Sequence, residues 1–348
     1  INFYNKQREF LQNQTDIENL IENNPKKIGW SRGLKNNLKR NTVIEFDNES
    51  VVTSVVRPFV RQNVYFNKQM NENIGKNFNL YPTSYHTNLS IIIAAGGGVK
   101  PFFAFICDSI KDLDTDGGVQ CFPLYYYEKL DNNVGTLFDA GKESYVKRDG
   151  ITDFILTQCH QNYGDRVTKE DIFYYVYGLL HSPDYRNQFA ADLKKMLPRI
   201  PLVEKPVDFW AFSKAGRELA ELHLNYEDVE PYAGVEVAGT ENNNFRVEKM
   251  KFIKKGDKTA IQYNPYITVK NIPLRAYNYI VNGKSAIDWI MERYAVTVDK
   301  ASQIKNDPND WADEHNKPRY ILDLLLSIIT VSIKTLDIVE SLPKLEFK

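Results

Sequence analysis

Thr168-Lys169-Glu170-Asp171 opens the stretch of this chain whose local signals agree best. A threonine hydroxyl at the cap and an aspartate carboxylate three positions on can satisfy the first free amides of a helix. Ile172, Tyr175, Val176, Leu179 and Leu180 then recur at helical spacing, which predicts one buried face. Ser182 before Pro183 starts a second helix, because proline fits the first helical position, and Phe189, Leu193 and Leu197 follow at four-residue intervals. Pro198-Arg199-Ile200-Pro201 ends it. A helical centre constrains the whole chain, since the sequence on both sides of it reads mainly as strand.

Before the centre, 50–56, 63–66, 89–95 and 102–107 are β-branched or alternating runs, with Gly96-Gly97-Gly98 as the turn between the last two. After it, a helical segment at 215–224 leads to strand-like runs at 245–253, 259–269 and 277–281, with Gly256-Asp257 as a hairpin turn. Ser285 and Asp288 cap a short helix through Trp289 and Ile290, and 318–342 forms a long terminal helix. A chain of 348 residues exceeds what one core usually organises. The expected fold is α+β and two-lobed. An N-terminal β-rich lobe (1–165) and a C-terminal mixed lobe (202–348) are joined by a central helical segment (166–201) and closed by the long C-terminal helix. No internal repeat or low-complexity linker interrupts it.

Composition excludes several classes. Forty-four basic against 45 acidic side chains leave a formal net charge of -1, so any electrostatic attraction to nucleic acid must be local. Three widely spaced cysteines, Cys107, Cys121 and Cys159, give no disulfide framework and fit a reducing, cytoplasmic setting. The apolar run 324–329 is bracketed by Asp323 and Lys334, too short to span a membrane. The chain starts at Ile1 with neither methionine nor a basic leader, and so reads as a piece of something longer.

Apparent catalytic motifs fail on geometry. Gly283-Lys284-Ser285 lacks the earlier glycine that a phosphate loop needs, because position 278 is Asn278, and it reads as a turn and helix cap. Gly96-Gly97-Gly98 lacks the spaced glycines of a dinucleotide fingerprint. Pro183-Asp184 with Asp192-Leu193-Lys194 matches the letters of a metal-dependent nuclease, yet both acids fall on one expected helix instead of adjoining strands. Cys159-His160 has no third, orienting group, and adjacent side chains point apart. His86, His160, His181, His223 and His315 show no pair at ligand spacing, so no metal site is expected.

Charge is segregated along the chain. Lys26, Lys27, Arg32, Lys35, Lys39, Arg40, Arg57, Arg61 and Lys68 stand between 25 and 69 against Glu45, Asp47 and Glu49, whereas 217–241 holds seven acids against Arg217. Lysine and arginine spaced through loops beside strands can neutralise successive phosphates, while neighbouring Asn and Gln read base edges. The aromatic runs Tyr125-Tyr126-Tyr127 and Phe173-Tyr174-Tyr175 suit either core packing or stacking on a base, and composition does not separate the two.

Several phrases together carry a resemblance: Ile28-Gly29-Trp30-Ser31-Arg32-Gly33-Leu34-Lys35, Arg57-Pro58-Phe59-Val60-Arg61-Gln62, Gln120-Cys121-Phe122-Pro123-Leu124-Tyr125, the stretch 174–201 and the ending 319–343. Over nearly its whole length the chain resembles the C-terminal specificity region of type ISP restriction-modification enzymes, single polypeptides that behave like Type I systems. The resemblance implies a parent with a nuclease, an ATP-driven helicase-like motor and an adenine-N6 methyltransferase upstream. S-adenosylmethionine, ATP and Mg2+ serve those parts and no cofactor serves this one, which lacks their motifs. It implies a target recognition domain that reads double-stranded DNA, with 171–197 as scaffold. Val56 stands where the family usually has tyrosine before Arg-Pro-Phe, and Val60 follows Phe59.

The expected function is therefore non-catalytic, sequence-specific recognition of duplex DNA. Lys26, Lys27, Arg32, Lys35, Lys39 and Arg40 would contact phosphates, and Arg57, Arg61 and Asn63 are candidates for base or backbone contact. The alternative is a protein-interaction module coupling methyltransferase to motor, which near-zero net charge and the acidic 217–241 stretch favour. A third, an independent nuclease, rests on Asp184, Asp192 and Lys194.

Overall fold

The structure is a computed structural model and describes residues 1–14, 16–72, 74–94, 101–111, 118–130 and 145–345. It begins with three helices, α1 (Asn2–Leu11), α2 (Ile17–Leu20) and α3 (Arg32–Lys39). They enclose a small core of Tyr4, Leu11, Leu34, Leu38 and Ile44. Leu34 and Leu38 lie one turn apart on α3 and so share its inner face. The Tyr4 hydroxyl donates to the Thr42 carbonyl (3.0 Å) and Asn5 Nδ2 to the Ile44 carbonyl (2.7 Å), fastening the segment that leaves α3 across α1. A helical unit thus stands where the sequence suggested a basic stretch of loops.

Next come β1 (Val51–Arg57), β2 (Val60–Tyr65), α4 (Asn77–Leu80), β3 (Ser90–Ala94), β4 (Ala104–Cys107), β5 (Ile110–Lys111), β6 (Val119–Pro123), β7 (Tyr125–Lys129) and β8 (Tyr145–Asp149). They make sheets in the orders β2-β1-β5, β4-β3-β6 and β7-β8, antiparallel except for the β1-β5 pair. The turn expected at Gly96-Gly97-Gly98 lies outside the described residues. The centre holds α5 (Asp153–Tyr163), α6 (Lys169–Leu179), α7 (Pro183–Gln188), α8 (Ala190–Leu193) and α9 (Pro206–Leu224). The capping box forms as read: Thr168 Oγ1 accepts from Asp171 N (3.1 Å), and Asp171 accepts from Thr168 N (2.9 Å).

The helix after Ser182 does not run to Leu197. Phe189 leaves helical geometry between α7 and α8, and Leu197 is exposed while Leu193 is buried. The helix expected at 215–224 begins earlier, at Pro206, which again takes the first helical position.

The remainder comprises β9 (Glu236–Ala238), β10 (Lys251–Lys254), β11 (Asp257–Gln262), β12 (Thr268–Lys270), β13 (Ile280–Val281), β14 (Lys284–Ser285), α10 (Ala286–Arg293), β15 (Thr297–Val298), β16 (Lys305–Asn306), α11 (Asn309–Glu314) and α12 (Tyr320–Glu340). The largest sheet here runs β10-β11-β12-β9. Three strand assignments shorten, each for a local reason. At 245–250 side chains satisfy the backbone in place of a ladder: Tyr263 Oη donates to the Phe245 carbonyl (2.7 Å) and Asn309 Nδ2 to that of Val247 (2.8 Å). Asn264 Oδ1 accepts from Tyr266 N and Ile267 N, an Asx turn that splits 259–269 into β11 and β12. Pro273 leads into a 3-10 turn, Leu274–Asn278, so only Ile280–Val281 of the third run is strand. Gly283 (φ 81°) turns β13 into β14, and Ser285 caps α10 by accepting from Asp288 N (3.0 Å).

Two cores meet across β3 and β4. Ile92, Phe105 and Cys107 join Phe59, Ile261, Val269, Leu322 and Ile329 in one core; Ile91, Ile93 and Ile106 join Tyr175, Leu179, Phe209 and Leu219 in the other. Alternation along a strand sends neighbouring residues to opposite faces, so this central sheet is the wall both cores share. At its margin Tyr177 Oη bonds His223 Nδ1 (2.7 Å), and His223 Nε2 bonds Thr335 Oγ1 (2.9 Å). Burial pushes His223 down to about 3, so the imidazole is neutral at physiological pH and ties α6, α9 and α12 together as a hydrogen-bonding group. Among the described residues no helix is long and apolar enough to cross a membrane.

Candidate nucleic-acid interface

The sequence-derived basic residues fall into two sets. Lys26 and Lys27 sit in the turn ahead of α3, Arg32, Lys35 and Lys39 are on α3, and Arg40 caps its end. Positions 32, 35 and 39 share one face of the helix while Leu34 and Leu38 bury the other. Ser31 Oγ accepts from Leu34 N (3.2 Å), and Glu72 accepts from Gly33 N, where a Cβ would crowd the carboxylate. Lys27 pairs with Glu22 (2.7 Å) and Lys39 with Glu18 (2.6 Å), both at the surface. Exposed pairs of this kind contribute at most about 1 kcal/mol, so a phosphate can replace either carboxylate. Among the described residues, Lys26, Arg32, Lys35 and Arg40 have no carboxylate within ion-pair range.

The second set flanks the β1-β2 turn. Phe59 occupies that turn at φ 60°, an unusual conformation for a bulky side chain, and is almost wholly buried. Its ring meets Phe105, Tyr226 and Tyr279 edge-on at 5.2–6.2 Å. This plug explains the Arg-Pro-Phe phrase: it sinks the turn into the core and leaves Arg57 and Arg61 on either side. Arg57 donates to the Val56 carbonyl. The Arg61 guanidinium is anchored within the fold, to Asp108 (3.3 Å), to the Leu224 carbonyl (3.1 Å) and over the Tyr226 ring (5.4 Å).

Opposite this hairpin stand α10, the β15-β16 ribbon and α11. Between them lies a cleft in two connected chambers that share Val60, Gln62, Arg293, Asp307 and Pro308. One, of about 350 Å³, takes in Arg61, Asn63, Trp311 and Tyr320; the other, about 400 Å³, takes in Arg57, Asn306 and Thr297. Asn63 also lines a shallower apolar groove of about 680 Å³ with Phe3, Phe46, Tyr65 and Met70. The exposed Asn63 therefore sits where the helical unit, docked through the stacked Phe46 and Tyr65 rings (5.4 Å), meets the cleft. The two basic sets are not on one element, and Lys26, Lys27, Arg32, Lys35, Lys39 and Arg40 line neither the cleft nor the groove.

Asp307 braces the cleft wall. It accepts from Lys305 Nζ (2.8 Å), Asn309 N (3.0 Å) and Asn309 Nδ2 (2.6 Å). Burial would raise its carboxyl, but these bonds carry it down to about 2. Sequence reasoning missed Gln62, Arg293, Asn306 and Trp311, since only the fold brings them to the cleft. It also passed over five lysines between 249 and 258, a signal that was present in the letters.

The rejected motifs stay apart from this surface. Cys159 is buried, which pushes its thiol up to about 11, and His160 Nε2 bonds the Val167 carbonyl (2.9 Å). Asp184 accepts from Leu345 N (3.1 Å), and Asp192 lies exposed on α8. Among the described residues no cluster of three or more His, Cys, Asp or Glu side chains could hold a metal ion.

Two cores that share a central sheet, a helical centre and a polar cleft make up a mixed fold that carries a basic helical unit at its start. The chain belongs to the family of type ISP C-terminal specificity domains, whose family model matches residues 1–324. It is similar to the solved structure of LlaBIII, an ATP-dependent type ISP restriction-modification enzyme bound to DNA, at 36% identity and TM-score 0.87 over 99% of this chain. It is also similar to a nuclease-deletion mutant of the type ISP enzyme LlaGI in complex with a DNA substrate mimic, at 37% identity and TM-score 0.84 over 100% of this chain. A DrdV–DNA complex matches at 26% identity and TM-score 0.82 over 99%. The chain spans 21%, 30% and 33% of those three chains respectively. No curated protein matches it.

Proposed function

We propose that this chain recognises a DNA sequence in the duplex on behalf of a larger restriction-modification enzyme. The observation that carries the reading is the place of Asn63, which lines both the cleft and the apolar groove against the helical unit that bears the six basic side chains. Similarity above 35% identity to two type ISP enzymes solved with DNA or a DNA mimic supports it. Lys26, Lys27, Arg32, Lys35, Lys39 and Arg40 contact phosphates; Arg57 and Asn63 reach bases or backbone from the cleft; Arg61 holds β2 in position for them. Methylation, ATP-driven movement and cleavage, with S-adenosylmethionine, ATP and Mg2+, belong to the rest of the polypeptide, in the cytoplasm. The division into 1–165, 166–201 and 202–348 serves this reading, with the helical centre as support for reading surfaces on both sides.

The coupling alternative rests on the acidic stretch, several of whose seven acids have partners within the chain. Glu227 accepts from Tyr320 Oη (3.0 Å), Glu236 pairs with Lys270 (3.0 Å), and Glu221 accepts from Asn225 Nδ2 (2.7 Å). Binding of the intact enzyme to duplexes of varied sequence tests the reading. Lys35→Ala and Arg40→Ala should weaken every duplex alike, whereas Asn63→Ala should cost about 1–3 kcal/mol at one base position. If neither effect appears across these positions, the reading fails.

A further inference from the structure

Lys249, Lys251, Lys254, Lys255 and Lys258 fill half of the positions from 249 to 258, against the single acid Asp257. The stretch leads into and forms the β10-β11 hairpin, which turns at Gly256 (φ 85°) on the edge of the four-stranded sheet. One face is pinned to the core. The Phe252 ring lies 6.0 Å from Tyr277, and Lys258 Nζ reaches over both rings and to Asp288 (3.4 Å). Lys249, Lys251, Lys254 and Lys255 are all exposed, with Ile253 exposed among them.

Lys27, Lys39 and Arg61 each have a carboxylate; these four lysines, like Lys26, Arg32, Lys35 and Arg40, have none within ion-pair range among the described residues. Asp257 faces Lys254 across the ladder, yet its carboxylate accepts from Thr259 N (2.9 Å) and Thr259 Oγ1 (2.6 Å), turned back onto its own strand. Like charges repel one another, and among the described residues Asp257, whose carboxyl Lys254 helps to lower, does not offset all four. An anionic polymer would. The position suits one, because Val296 N donates to the Glu248 carbonyl (2.8 Å), joining the root of the hairpin to the β15 side of the cleft.

We infer that the β10-β11 hairpin is a second, sequence-independent grip on the phosphate backbone of duplex DNA, made by Lys249, Lys251, Lys254 and Lys255. The inference rests on the DNA-recognition reading and extends it: a duplex laid over the mouth of the cleft is held by the helical unit near the start of the chain and by this hairpin from its second half. Lysines on an edge strand also discourage edge-to-edge association, and charge reversal separates the two roles, since glutamate keeps the edge charged but repels phosphate.

The test is fluorescence anisotropy of the intact enzyme on a mixed-sequence duplex over a KCl series, with Lys254→Glu/Lys255→Glu and the milder Lys254→Gln/Lys255→Gln, each checked for an unchanged melting temperature. Loss of two phosphate contacts should make the slope of log K against log salt shallower by roughly 1.8 and weaken low-salt binding about tenfold or more. A wild-type protein that binds with a steep slope, beside variants of equal slope and affinity, would overturn the hairpin inference alone and leave the lysines as edge guards. A wild-type enzyme that binds no duplex would overturn the DNA reading and this inference with it.

Discussion

Gly178 of α6 and Gly216 of α9 meet backbone to backbone. A Cβ on Gly216 would overlap the Tyr174 carbonyl oxygen and stand 3.0 Å from Gly178 N, and one on Gly178 would overlap the Phe212 carbonyl oxygen. The approach lets Ser213 Oγ donate to the Asp171 carbonyl (2.9 Å) and brings Arg217 to the Asp171 carboxylate (2.7 Å). Gly216→Ala must push two helix backbones apart, at a cost on the order of 3 kcal/mol. Thermal unfolding should show a clear fall in Tm; an unchanged Tm would mean that the helices are not in contact there.

Asp307 gives the cleft a pH dependence of definite sign. Its folded carboxyl titrates near 2 against an ordinary value of 3.8, so its stabilisation is complete above the unfolded value and is lost as pH falls through the folded one. Asp307→Asn should destabilise the protein by roughly 1–2 kcal/mol at neutral pH. Chemical denaturation from pH 7 down to pH 2 should show the gap between variant and wild type closing below about pH 4. A gap independent of pH would contradict this assignment.

Arg61 supports the cleft from beneath. Arg61→Ala removes bonds to Asp108 and to the Leu224 carbonyl and should cost about 2 kcal/mol. Arg61→Lys should recover only part of it, because the one nitrogen that bonds both acceptors, Nη2, stands at the end of a longer side chain, and an ammonium lacks the planar group that Arg61 holds over the Tyr226 ring (5.4 Å). Melting curves of the two variants check the order. A lysine variant as stable as wild type would show that charge alone is needed.

What the sequence made legible was whatever is written within a few residues. Thr168 with Asp171, Ser182 with Pro183, and Ser285 with Asp288 each place cap and helix side by side, and each forms. The Gly256 turn and the β1, β3 and β4 strands were readable for the same reason. The short strands β5 and β9 were not, because so few residues show no period and their pairing comes from distant partners. At the interface, the basic residues could be named but not placed. Leu34 and Leu38 turn Arg32, Lys35 and Lys39 into a helix face only against Tyr4 and Ile44, and the cleft exists only once Arg293, Asn306 and Trp311 fold back onto β2.

The central claim is that this chain chooses the DNA sequence on which its enzyme acts. It is tested most directly by mapping methylated adenines genome-wide with the intact enzyme, first with this chain in place and then with the matching segment of a relative exchanged for it. The account predicts that the methylated motif moves with the exchanged segment. Methylation that persists at the original motif would contradict it and make the chain a coupler or scaffold.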